Sequence, residues 1–252
     1  MDETGIRRIG KDVDQADRNV CLWHVVKKMD FDAVLFDMDG VIFDSEVKVV
    51  ECWKEVADKY GIPDIESQCH ACLGTTREMS RAIMLEHYGA DFPYDTYKKE
   101  MSDLFHTRYG GGRLPKKAGA AELLKFLQLH NKKVALASST RREIVEQELR
   151  DGGLISYFDA VICGDMVQRS KPEPDIFLKA CAVLGVEPKR AFGVEDSYNG
   201  IRALAAAEIP AIMVPDLKSP TEEIRSLATA VLPDLFAVKK YLERPDGRST
   251  DV

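Results

Sequence analysis

Asp37 and Asp39, two carboxylates one residue apart, close the apolar run Phe31-Asp32-Ala33-Val34-Leu35-Phe36 and are followed at once by Gly40. A short apolar run of this kind reads as a buried parallel strand that delivers both acids to the mouth of a sheet. Side chains alternate along an extended chain, so residues two apart leave it on the same side. One carboxylate can then attack while the other moves protons. Acidic residues also close strands and cap helices for purely structural reasons, so the pair alone does not decide the chemistry.

Three later stations add to it. Val134–Ala137 runs into Ser138-Ser139-Thr140, Ser170-Lys171-Pro172 follows another apolar run, and Ala191–Val194 ends in Glu195-Asp196-Ser197. Together they offer a nucleophile, an acid/base, a hydroxyl, a cation and spare carboxylates for a metal. That set suits phosphoryl transfer assisted by Mg²⁺, which prefers hard oxygen ligands, with a cation to offset the charge on the phosphate.

Over residues 30–240 or so, the motifs DMDGVIFDSE, ASST, SKPEPDIF and GVEDSYNG occur in an order that resembles the haloacid dehalogenase superfamily, in its β-phosphoglucomutase-like phosphatase branch. The resemblance implies that Asp37 is the nucleophile that becomes an aspartyl-phosphate and that Asp39 is the general acid/base. It implies that Ser138 holds phosphoryl oxygens and that Lys171 neutralises them. Mg²⁺ is implied on Asp37, on the backbone carbonyl at Asp39, and with help from Glu195 and Asp196. Substrate contacts are expected from Gly40, Arg77, Ser139 and Arg141. A dehalogenase of the superfamily lacks the second aspartate, so Asp39 argues for phosphate esters. The transport ATPases carry a DKTG-type motif and membrane spans, and this chain has neither the motif nor an apolar run of about 18 residues.

The elements that must position these groups follow from periodicity. Between the first two motifs, Val49, Val50, Trp53, Val56, Ala57 and Tyr60 recur at helical spacing behind a cap at Asp44 or Ser45, and Gly61 stops the run. Further helices are expected near Glu78–Tyr88 and Tyr97–Tyr109. Gly110-Gly111-Gly112 reads as a hinge or turn, since no strand precedes it and no GK[ST] follows. Beyond it the pattern alternates: helix 120–129, strand 133–137, helix 141–150, strand 160–163, helix 174–184, strand 191–194, helix 199–207 and strand 211–214. The fold class is therefore α/β, a doubly wound, Rossmann-like parallel sheet with an inserted helical cap. The expected division is an N-terminal extension at 1–29, expected to lack order, a core of 30–45 with 116–240, a cap at 46–115 and a tail at 241–252. The cap would exclude water and choose the substrate, hinged near 44–46 and 110–117.

Composition agrees. The 252 residues suffice for one α/β domain with a smaller insertion, and a net charge of −7 gives no basic footprint for nucleic acid. Six cysteines read as reduced thiols of a cytosolic enzyme, and a cytoplasmic location is expected. Cys69-His70-Ala71-Cys72 has no second pair at zinc spacing and is read as helix packing. Residues 1–28 show no apolar secretory segment, no membrane partner is expected, and no long heptad points away from a monomer.

The function expected is a Mg²⁺-dependent phosphatase of small phosphorylated metabolites, sugar phosphates in particular. The alternative is a β-phosphoglucomutase-type isomerase. Against it, the histidine that mutases carry five residues after the aspartate following DxDG is Val49 here, and the approximate position of their cap lysine is Phe105, with Lys98 or Lys99 as substitutes if the alignment slips. Thr140-Arg141-Arg142 likewise departs from the Ser-Lys-Asn of mutases. A binding protein without catalysis on this fold is the third reading, and the complete set of polar residues argues against it.

Overall fold

The computed structural model describes residues 31–243, so the N-terminal extension and nearly all of the tail read from the sequence lie outside the described residues. Six parallel strands form one sheet, β1 (Ala33–Phe36), β2 (Lys133–Ser138), β3 (Ala160–Cys163), β4 (Ala191–Glu195), β5 (Ala211–Met213) and β6 (Ala230–Val231). Their spatial order is β3-β2-β1-β4-β5-β6, so the strand ending at Asp37 is central. Phe36 stands level with Leu136 on one side and Val194 on the other. That register brings Asp37, Ser138 and Glu195 to the same carboxyl edge. Ligands of open α/β sheets bind at this edge, where the strand order reverses.

Every residue of β1 is fully buried because helices cover both faces of the sheet. Val34 and Phe36 point into one core with Leu136, Val194 and Ile212, while Ala33 and Leu35 point into the other with Ala135, Ala137 and Met213. The first core is closed by α5 (Ala120–Leu129), α6 (Arg142–Asp151) and α10 (Leu235–Leu242), the second by α7 (Asp175–Leu184), α8 (Tyr198–Ala206) and α9 (Glu222–Leu227).

Four helices intervene between β1 and α5: α1 (Ser45–Tyr60), α2 (Ile65–Cys72), α3 (Arg77–Tyr88) and α4 (Tyr94–Tyr109). Gly61 ends α1 in the left-handed region at φ 63°, as its position after the apolar stripe predicts. Trp53 of α1 stacks on Tyr94 of α4, and Val56, Met84, Met101 and Phe105 extend this packing into the core around Phe36. The two chains that lead into and out of the insertion lie side by side. Asp44 N donates to Pro115 O at 2.9 Å and Lys117 N to Ile42 O at 2.9 Å. Gly111 and Gly112 turn the chain at positive φ, and Gly112 packs against Asp151 O rather than forming a phosphate cradle.

The helix at Ile65–Cys72 carries both cysteines of the CxxC. Cys69 is buried and its thiol is pushed up to about 12 by that burial, while Cys72 Sγ donates to Ser80 O. Among the described residues all five cysteines are free and none joins a group suited to a metal ion. β6, α9 and α10 extend the alternation beyond the last strand expected from the sequence. No helix among the described residues is long and apolar enough to cross a membrane.

Candidate active site

Lys171 organises the carboxyl edge. Its Nζ donates to Asp37 Oδ1 at 2.5 Å, to Glu195 Oε1 at 2.6 Å and to Ala137 O at 3.0 Å, and it lies 5.0 Å from the Phe177 ring centroid. Burial alone would depress this ammonium, yet the Asp37 and Glu195 charges hold it above its ordinary value. Asp37 itself is pushed up to about 7, first by burial, with Lys171 opposing and the charges of Glu195 and Asp39 adding to the rise. A buried nucleophile candidate with one lysine to serve two carboxylates is short of positive charge.

Glu195 has little freedom left. Its second oxygen, Oε2, accepts from Asp196 N, Ser197 N and Ser197 Oγ at 2.9–3.0 Å, while Oε1 accepts from Lys171. Asp39 is held by two hydroxyls, Ser45 Oγ at 2.6 Å and Thr140 Oγ1 at 3.1 Å, which fix both of its oxygens. Ser138 is fully buried at the end of β2, and its Oγ accepts from Thr140 N at 3.1 Å.

Ligand oxygens of Asp37, Glu195 and Asp196 lie within 4.8 Å of one another, and so do those of Glu46, Asp196 and Asp216. Burial, and then the charges of Glu46, Glu195 and Asp37, raise Asp196 well above the carboxylate range, and burial raises Glu46 to about 8. Asp216 Oδ1 takes a 2.6 Å bond from Lys117, but its buried Oδ2 has no partner. This surplus of buried oxygen donors and negative charge fits a hard divalent cation. Gly40, at φ +79°, makes the crowding feasible, because a Cβ there would stand 2.4 Å from Asp196 Oδ2.

The structure thus brings Asp37, Asp39, Ser138, Lys171, Glu195 and Asp196 together. The four other residues singled out in the sequence are placed differently. Gly40 N donates to Phe43 O, so its amide is already engaged. Ser139 and Arg141 are exposed beside the site. Arg77 begins α3 with Nη2 3.5 Å from Asp95 Oδ1, a loose exposed contact. Of the two candidate lysines, Lys99 pairs with Asp103 at 2.6 Å, whereas Lys98 has no ion pair among the described residues, and burial lowers it despite the charge of nearby Asp39. Ser45 and Thr140, which bond Asp39, and Glu46, which joins Asp196 and Asp216, lie within the motifs and complete the site beyond the residues expected to act in it. Asp216 and Lys117 are 99 residues apart and carry no local signal.

A parallel sheet whose central strand delivers paired carboxylates to a buried lysine and further acids makes this a Rossmann-like α/β protein with an acidic, lysine-centred site at its carboxyl edge. The chain belongs to the haloacid dehalogenase-like hydrolase family, whose pattern matches residues 34–214. It is 33% identical over 181 residues to a phosphorylated carbohydrates phosphatase of Thermotoga maritima, covering 72% of this chain and 83% of that protein. It is also 33% identical over 190 residues to the β-phosphoglucomutase of Bacillus subtilis, covering 72% and 82%. The crystal structure of CbbY from Rhodobacter sphaeroides in complex with phosphate superposes with a TM-score of 0.66 at 27% identity, over 81% of this chain and 95% of that one.

Proposed function

We propose that the protein is a Mg²⁺-dependent phosphatase of small phosphorylated metabolites, sugar phosphates in particular, that works through a phospho-Asp37 intermediate. The observation that carries this reading is the buried Lys171, bonded at once to Asp37 and Glu195 beside the hydroxyl-held Asp39. The Thermotoga relative, a phosphatase of phosphorylated carbohydrates, supports the substrate class.

In this mechanism Asp37 attacks phosphorus, the ester P–O bond breaks, and Asp39 gives its proton to the departing oxygen. Asp39 then takes a proton from the water that attacks the acyl-phosphate, which releases phosphate and restores Asp37. Ser45 and Thr140 keep the Asp39 carboxyl aimed through both halves, and each positioned proton transfer is worth about 10²–10⁴ in rate. Lys171 and the Ser138 hydroxyl meet the phosphoryl oxygens. Asp37 and Asp196 would hold the cation, with Glu195 as their support because both of its oxygens are taken. When bound, Mg²⁺ supplies charge neutralisation between the nucleophile and the phosphate. The helical insertion serves as the cap that covers this edge.

The test is phosphate release from a panel of sugar phosphates and other phosphomonoesters with Mg²⁺, alongside Asp37→Asn. Release that vanishes in the variant supports the reading. The Bacillus relative keeps a second reading in play, interconversion of β-glucose 1-phosphate and glucose 6-phosphate. Glucose 6-phosphate formed without free phosphate, given a trace of glucose 1,6-bisphosphate, would establish it.

A further inference from the structure

Asp216 lies in the loop just past β5 with its side chain only 8% exposed, and its two oxygens are served unequally. Oδ1 accepts from Lys117 Nζ at 2.6 Å, and the same ammonium reaches Asp44 Oδ1 at 3.4 Å. Lys117, on the chain that leaves the insertion, is thus held between the chain that enters it and the loop after β5. Asp216 Oδ2 is inaccessible to water and accepts from nothing. A buried carboxylate oxygen without a donor is rare in folded proteins, and a bound ion is one of the few things that accounts for one.

That oxygen is turned toward other acids. Asp216 Oδ2 and Asp196 Oδ2 converge on Gly40, where a Cβ would stand 3.3 Å from the first and 2.4 Å from the second. Ligand oxygens of Glu46, Asp196 and Asp216 lie within 4.8 Å of one another. Among the described residues, Lys117 is the one cationic side chain bonded to any of the three. A cation on Asp37 and Asp196 meets the shared Asp196 but leaves Glu46 and the free oxygen of Asp216 without a positive partner. Hard divalent cations take carboxylate oxygens at about 2.0–2.6 Å, so oxygens this close together can surround one in a space too small for water. Glu46 is only half-buried, which puts the rim of the group at the solvent.

We propose that Glu46, Asp196 and Asp216 hold a second hard divalent cation, Mg²⁺ or Ca²⁺, beside the one assigned to Asp37 and Asp196, with Asp196 shared between the two. Glu46 stands in the first turn of α1, whereas Asp196 and Asp216 belong to the core, so this cation ties the entry of the insertion to the carboxyl edge of the sheet. Lys117 occupies Oδ1 of Asp216 and leaves Oδ2 for the ion. Cation binding alone decides the matter, so the proposal stands or falls apart from the phosphatase reading.

Mn²⁺ suits the same oxygen ligands, and its unbound fraction is counted by EPR. Wild-type protein should bind two Mn²⁺ per chain, Glu46→Gln and Asp216→Asn one each, and Asp37→Asn should keep the second. Asn at 216 retains an oxygen for Lys117, so this variant folds, and circular dichroism checks that it has. Two Mn²⁺ sharing Asp196 couple their spins, and the coupled spectrum should vanish in both amide variants. Mg²⁺ or Ca²⁺ should displace the second Mn²⁺, and the one that does so at the lower concentration is the ion of the site; displacement by neither overturns the proposal. Amide exchange at residues 45–48 should slow when that ion is added to the wild type and not when it is added to Asp216→Asn; an equal response in both removes the tie to the insertion. One Mn²⁺ per chain, lost in Asp37→Asn and kept in both amide variants, overturns the proposal, as do two Mn²⁺ kept in both amide variants or none bound at all. One Mn²⁺ lost in the amide variants and kept in Asp37→Asn upholds this site and overturns the other.

Discussion

Gly200 has no side chain where Glu195 needs the space: a Cβ at position 200 would stand 1.8 Å from Glu195 Cδ. The first turn of α8 therefore closes on the carboxylate that anchors Lys171, and Ser197, which caps that helix by accepting from Gly200 N, also donates to Glu195. Gly200→Ala should displace Glu195, destabilise the fold by about 1–3 kcal/mol as overpacking does, and lower activity more than stability alone explains. Urea denaturation and kcat measured on the folded fraction check this.

Lys171→Met keeps the volume and removes the charge that two buried carboxylates share. Breaking a buried pair by deleting one partner costs about 3–5 kcal/mol, and phosphatase activity should be lost with it. Mg²⁺ should restore part of the stability, since it meets the same carboxylates, and none of the activity. Paired thermal melts with and without Mg²⁺ decide the matter.

Asp39→Asn leaves an amide oxygen to accept from Ser45 or Thr140, so the fold should hold while turnover of alkyl phosphates falls about 10²–10⁴-fold. In the first half-reaction, read as kcat/KM or as a burst of phenolate, the loss should be far smaller for 4-nitrophenyl phosphate, whose phenolate departs without a proton, while release of phosphate from the acyl-phosphate slows alike for both. Equal losses of kcat/KM on both ester classes would show that Asp39 does not protonate the leaving oxygen.

The pH dependence follows from the carboxyls that burial raises, Asp196 well above its ordinary range, and three more to stated values, Asp37 to about 7 and Glu46 and Glu148 to about 8. The unfolded values of Asp37, Glu46 and Glu148 are 3.8, 4.5 and 4.5, so from pH 4 to 8 the folded chain binds more protons than the unfolded one. The stability that they contribute is full below their unfolded values and is lost as pH rises through the folded ones. Metal-free protein should therefore melt higher near pH 5.5 than near pH 8 as far as these groups decide it. Mg²⁺ binding should tighten over the same interval and release protons, which calorimetry in buffers of different ionisation heat would detect.

The sequence by itself determined the central strand, the alternation that follows it and three of the insertion's four helices, Ile65–Cys72 being the one without a periodic signal, because apolar periodicity and glycine stops are local properties of the chain. α1 ends at the Gly61 stop and α3 and α4 end at Tyr88 and Tyr109 as read, with α4 beginning three residues earlier, at Tyr94. It also named the six polar residues that meet at the carboxyl edge, since each ends a strand or opens a helix within a motif. α10 was legible in principle, with Leu235, Val238 and Leu242 behind an Asp234 cap, whereas the two-residue β6 has no period to read. Only the tertiary structure decided that both oxygens of Glu195 are already taken, that Asp216 and Lys117 join the acidic centre, and that Glu148 Oε2 is buried without a partner. The reason is physical. Strand and helix signals are written in neighbouring residues, but hydrogen-bond partners, desolvation and empty space arise only when segments far apart in the chain are packed together.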